Sequence, residues 1–173
     1  MKYVVLSSLM FVASQAEATE WPALDVPLYQ DRTAPEDRVV IISLETYAHL
    51  DDVQNASQNA EEWKLYFLET LGVSNSNIKV LKNDSATKDE IVRSVRQAEK
   101  RLSEEGRLWI VYIGYGATSF HEGTGLILPF TTEATAKSVY QDGLSLDEIA
   151  SVSESGHKQT IAIFDCSFDA RDR

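Results

Sequence analysis

Two short segments gather the residue types from which a nucleophilic site can be built. Val111 to Ala117, VYIGYGA, is an apolar run that ends in a phenol, Tyr115, between two glycines. Ile161 to Ala170, IAIFDCSFDA, ends in a carboxylate, a thiol and a hydroxyl in succession, at Asp165, Cys166 and Ser167. A thiol or hydroxyl attacks an acyl carbon when a base takes its proton, and backbone amides at a glycine turn can hold the oxyanion that forms. Taken singly, each turn also has a plainer meaning: Gly-x-Gly after a strand is very often a tight turn, and Asp after a buried strand is often a helix cap. Their shared position just after an apolar run nominates both, because sites in open α/β sheets gather outside the carboxyl ends of strands.

The elements that must position these turns are legible along the chain. Val39 to Ser43 is a β-branched run, the mark of a strand buried on both faces. From Ala56 to Leu71 the residues Ala56, Ala60, Trp63, Phe67 and Leu71 recur at helical spacing, and Gly72 supplies a left-handed stop. Ile78 to Leu81 predicts a second strand. Thr87 and Glu90 form a capping box that opens a helix with Ile91, Val95, Ala98 and Leu102 inward and Gly106 as its close. Leu108 to Ile113 is the third strand, Leu126 to Leu128 a small extension or hairpin arm, and Ser145 with Glu148 a second capping box before a short helix. Thr160 to Phe164 is the last strand. The order βαβαβ(loop)αβ implies an α/β fold with a mostly parallel sheet covered by helices. Trp63 and Trp109 read as helix core and strand core.

The chain of 173 residues is long enough for one domain and short for two. Its 43% hydrophobic and 25% charged composition is that of an ordinary globular protein. The net charge of -11 argues against nucleic acid and anionic membranes as partners, since both need clustered Lys and Arg, and leaves cationic peptides open. Lys2, the apolar stretch Tyr3 to Val12 and Ala16-Glu17-Ala18 have the pattern of a signal peptide cleaved after Ala18, so residues 1–18 predict export to a periplasmic or secreted location. That stretch is shorter than the roughly 18 to 20 residues of a spanning helix, so no stable membrane anchor is expected. Residues 19–37, with Pro22, Pro27 and Pro35, read as an extended lead-in, and residues 38–173 as the folded domain. The single cysteine, Cys166, excludes an intramolecular disulfide. Asp51, Asp52 and Asp84 lack the spacing of a calcium loop, and Gly114 to Ala117 lacks the third glycine of a dinucleotide fingerprint.

Taken together and in register, these features resemble the caspase-like cysteine peptidases of the caspase and metacaspase type, most of all their bacterial members. The resemblance covers roughly Arg38 to Arg171: the first strand, Asn59 to Trp63, the loop Lys82 to Lys88, Gly114-Tyr115-Gly116, Gly125 to Pro129, and Asp165-Cys166-Ser167-Phe168. In that family the first turn is Gly-His-Gly and the second Asp-x-Cys. The resemblance implies a three-layer sandwich, here the large-subunit-like portion without the carboxyl-terminal part of the fold, and no metal or organic cofactor. It implies that Gly116 helps form an oxyanion hole, that Tyr115 and Ser167 occupy the base and nucleophile positions, and that Asp165 receives Lys or Arg side chains. Asp169 and Ala170 stand where the family usually shows Ser-Gly.

The substitutions bear directly on chemistry. A tyrosine of ordinary pKa is about one part in a thousand phenolate at neutral pH, and a serine needs a base more than a thiol does. Losing both members of a catalytic pair costs on the order of 10⁴ to 10⁶ in rate. The expected function is therefore a catalytically inactive pseudopeptidase that binds peptides or a protein partner. The alternative is an active cysteine endopeptidase with Cys166 as a nucleophile displaced by one position, assisted by a displaced histidine such as His121. Because side chains alternate along a strand, Cys166 is expected to face the core when Ser167 faces the cleft. An uncovered sheet edge would invite pairing with another chain.

Overall fold

The computed structural model describes residues 34–119, 123–152, 157–166 and 168. The predicted signal peptide, most of the lead-in, His121 and Ser167 lie outside them.

Four strands form one wholly parallel sheet: β1 (Arg38–Ser43), β2 (Ile78–Lys82), β3 (Arg107–Ile113) and β7 (Gln159–Asp165), in the order β2-β1-β3-β7. β1 lies between two partners and needs apolar residues on both faces, which its RVVIIS sequence provides: Val39 to Ser43 are all buried. Residues that alternate along β1 and β3 feed two cores. Val39, Ile41, Val111 and Ile113 pack against Ala56, Ala60 and Phe67 on one face. Val40, Ile42, Leu108, Ile110 and Tyr112 pack against Ile91, Val95 and Ile149 on the other. The first helical layer is α1 (Ala56–Leu65), and the second contains α2 (Lys88–Lys100) and α4 (Leu146–Val152). The result is the expected α/β sandwich with a parallel sheet at its centre.

The N-caps form as the sequence predicts, each through the Thr or Ser half of the expected box. Thr87 Oγ1 accepts from the Glu90 amide at 3.4 Å, and Ser145 Oγ from the Glu148 amide at 3.0 Å. The first helix differs from expectation. α1 is regular only to Leu65, and Tyr66–Thr70 is a π-helical turn closed by the Leu71 amide on the Tyr66 carbonyl at 3.1 Å, before Gly72 stops it at φ 66. Gly106 has another role than the one predicted: the helix ends at Lys100, and Gly106 is needed because a Cβ there would lie 2.4 Å from the Glu36 carbonyl oxygen. The predicted hairpin arm is the middle strand of a second, antiparallel sheet of β4 (Gly116–Thr118), β5 (Gly125–Ile127) and β6 (Leu144–Ser145). The sequence also left α3 (Ala136–Asp142) unmarked.

Folding begins before Arg38. Asp37, assigned to the lead-in, is 3% exposed and accepts from the Arg107 amide at 3.0 Å, Arg107 Nε at 2.9 Å and Trp109 Nε1 at 2.8 Å. Among the described residues no helix is long and apolar enough to cross a membrane.

Candidate functional site

β1 connects to β2 on one side of it and has β3 on the other, so the chain reverses direction between β1 and β3. Crevices form at such a reversal, outside the carboxyl ends of the strands. The ends of β1, β3 and β7 converge there. Ile113 is in register with Asp165, the Gly114 amide donates to the Asp165 carbonyl at 3.4 Å, and the Leu44 amide donates to the Ile113 carbonyl at 2.9 Å. The two turns nominated from sequence are therefore neighbours.

Two tyrosines that the sequence did not nominate hold the first turn. The Tyr115 amide donates to Tyr47 Oη at 2.8 Å, and Tyr112 Oη lies 2.7 Å from the Tyr115 carbonyl, 3.0 Å from the Leu128 carbonyl and 3.2 Å from Tyr47 Oη. The Leu128 amide donates to the Tyr115 carbonyl at 3.0 Å. In a regular antiparallel pair the Tyr115 amide would return the bond to the Leu128 carbonyl. Here the two hydroxyls take its place and splay the base of the β4–β5 hairpin. Gly114 is the residue that lets them in, since a Cβ would lie 2.5 Å from Tyr47 Oη and 2.8 Å from Tyr112 Oη. Burial pushes the Tyr47 phenol up to about 12 and Tyr112 well above its ordinary value, so both stay protonated donors at neutral pH. For Tyr112 the signal is a tyrosine on an inward strand position, whose hydroxyl needs a partner when buried; Tyr47 lies in the loop after β1 and carries no such signal.

Tyr115 is half-buried, its ring 5.4 Å from that of Tyr47. Gly116 is in register with Ile127. Bonded pairs at Tyr115/Leu128 and at Ser119/Thr124 alternate with unbonded ones, so Gly116 directs its amide away from β5, to the outer side of β4. The chain after β7 passes the hairpin: Thr118 Oγ1 donates to the Phe168 carbonyl, and the Phe168 ring lies where a side chain at Gly125 would stand.

Asp165 and Cys166 face opposite sides of the sheet. Asp165 is exposed and accepts from Asn59 Nδ2 of α1 at 3.3 Å, with no cation within ion-pair distance among the described residues. Cys166 is half-buried against the core that contains Tyr47 and Tyr112. Burial, and then the Asp165 charge, push its thiol up to about 11, away from the thiolate a nucleophile needs. Among the described residues no three His, Cys, Asp or Glu side chains converge as a metal site.

The chain is thus an α/β protein whose candidate site lies at a topological switch, where the carboxyl ends of β1, β3 and β7 meet. No family model matches it, and no curated protein matches it. Among solved structures, it is similar to the protein GSU0716 from Geobacter sulfurreducens, at 14% identity and a TM-score of 0.57, over 75% of this chain and 50% of that one. The chain spans about half the length of that structure. At this identity the likeness speaks to the fold alone.

Proposed function

We propose that the chain is a caspase-like domain that has lost the base and nucleophile of its peptidase site and binds peptides or a partner protein at the strand-end crevice. The observation that carries the reading is the pairing of Ile113 with Asp165, which makes neighbours of Gly114-Tyr115-Gly116 and the segment that begins at Asp165. The outward Gly116 amide and the Asp165 carboxylate, which has no ion-pair partner among the described residues, suit a peptide carbonyl and a Lys or Arg side chain respectively. Tyr115 stands at the base position, its backbone held by Tyr47, Tyr112 and Leu128. The raised Cys166 thiol opposes catalysis displaced by one position. Export of the mature chain after Ala18 belongs to the same reading, and amino-terminal sequencing of the protein recovered outside the cytoplasm tests it.

The binding reading is tested by calorimetric titration with short peptides that differ only in a central Lys, Arg or Glu. Preference for the basic peptides, lost in Asp165→Ala, is the expected outcome. Equal binding of basic and acidic peptides, or unchanged preference in Asp165→Ala, overturns it.

A further inference from the structure

At the amino ends of β1 and β2, the turn Asn75–Asn77 and the last turn of α2 enclose a recess of about 150 Å³. Three cations line it: Arg38 from β1, Lys79 from β2 and Arg101 from the C-cap of α2. Lys79 is in register with Val40, a residue of the α2-side core, so its side chain rises on that face of the sheet. The chain carries 27 acidic side chains against 16 Lys and Arg, yet among the described residues no carboxylate lies within ion-pair distance of any of the three. Arg38 is half-buried, and charges drawn out of water are normally paired.

Arg38 is held ready for such a partner. Its Nε donates to the Arg101 carbonyl at 2.8 Å and its Nη1 to Asn77 Oδ1 at 3.1 Å. Asn77 is fixed in turn, since its Nδ2 donates to the Pro35 and Asp37 carbonyls at 2.9 and 3.2 Å. Both acceptors of Arg38 are neutral, so its charge stays uncompensated, and the guanidinium keeps N–H groups in the planar fork that matches phosphate oxygens. The bond to Arg101 also covers the last carbonyl of α2, the negative helix end that an anion would otherwise meet. Ser94 lines the recess but directs its hydroxyl to Glu90 Oε1 at 3.4 Å, so the neutral donor on the lining is the exposed Gln97 amide.

Size and charge select the ligand. Pockets for organic molecules run to about 300 Å³ and more, so this one fits a single compact group. Three cations suit a group of charge about -1.5 to -2, as a phosphate carries, better than a carboxylate. The recess lies at the opposite corner of the sheet from the carboxyl end of β7. Ala34 lies on the α1 side, where its amide donates to the Leu71 carbonyl at 2.9 Å, whereas the recess opens on the α2 side.

We propose that this recess is a binding site for a phosphate group, with Arg38 presenting its fork and Lys79 and Arg101 completing the charge. It shares no residue with the strand-end site.

The test is calorimetric titration of the full chain with inorganic phosphate at neutral pH, with ionic strength held by chloride, beside acetate at the same concentrations. The expected result is saturable binding of phosphate and none of acetate, weakened about tenfold or more by Lys79→Gln and by Arg101→Gln. Both side chains are exposed, so the variants should fold, and urea unfolding without phosphate verifies it. Arg96→Gln removes an exposed cation of the same helix outside the recess and should leave binding within about twofold. Phenyl phosphate separates two sources of the group: binding at least as tight as that of the free ion points to a phosphate carried on a larger molecule, weaker binding to the free ion, and either supports the site. Absence of saturable phosphate binding, equal binding of acetate, indifference to Lys79→Gln or Arg101→Gln, or an equal loss in Arg96→Gln each overturns the proposal.

Discussion

Replacing Tyr112 by Phe removes one oxygen from the interior and nothing else of consequence to packing. That hydroxyl lies within bonding distance of the Tyr115 carbonyl, the Leu128 carbonyl and the Tyr47 hydroxyl, at 2.7, 3.0 and 3.2 Å, in fully buried surroundings. The Tyr115 carbonyl and the Leu128 amide keep each other at 3.0 Å, whereas the Tyr47 hydroxyl loses a partner and the Leu128 carbonyl loses its share of the single Tyr112 proton. A buried polar group left unpaired costs about 1–3 kcal/mol, so the loss should be about 2–4 kcal/mol after relaxation. Tyr47→Phe should cost about 1–3 kcal/mol, because the Tyr115 amide loses its Tyr47 acceptor. The two effects should not add, because the hydroxyls bond each other, and a double-mutant cycle should show about 0.5 kcal/mol or more of coupling. Urea unfolding followed by circular dichroism measures all three, with the slope against urea held as a check on two-state behaviour. A Tyr112→Phe variant within about 0.5 kcal/mol of the parent would refute the reasoning, since surface-like substitutions cost no more than that.

Three further outcomes follow from the same geometry. Asp37→Ala strands the Arg107 and Trp109 donors and should cost about 3–5 kcal/mol in urea unfolding, with Asp37→Asn between it and the parent. Cys166 should react with iodoacetamide about a hundredfold more slowly in the folded than in the unfolded chain at neutral pH, because its pKa rises from 9.0 to about 11. Tyr47 is raised in the folded state, so its contribution is intact below the unfolded value of 10.0 and is lost as the pH climbs toward about 12. Melting temperatures scanned against pH should therefore fall above about 10 and less steeply in Tyr47→Phe.

Much of this fold was legible because its elements carry strong local codes. β1 and β3 are uninterrupted β-branched and aromatic runs, which only strands buried on both faces require, and α2 announces itself through Thr87 and Glu90. α3 was missed because its only buried residue is Ser138, so AKSVYQD shows no apolar stripe, although Thr135 Oγ1 does cap it by accepting from the Ser138 amide at 3.1 Å. β4 is Gly-Ala-Thr, three residues that a turn would use equally well. Gly106 looked like a helix stop because a glycine serves both a left-handed turn and a close backbone approach, and the sequence does not say which.

At the site, the two turns were found from their position after apolar runs. The tyrosine pair that holds the first turn was not, because Tyr47 and Tyr112 are 65 residues apart and each reads locally as an ordinary apolar position. Trp63 and Trp109, read as core positions, do pack against the core that contains Phe67 and are partly buried.

The most direct test of the account is cleavage of a mixed fluorogenic peptide library by the purified protein, beside the Tyr115→His/Ser167→Cys double variant and a Cys166→Ala control. Silence is expected in the parent and in Cys166→Ala, with cleavage after basic residues appearing in the double variant. Cleavage by the parent that vanishes in Cys166→Ala, or silence in all three, would contradict a peptidase crevice preserved without its catalytic pair.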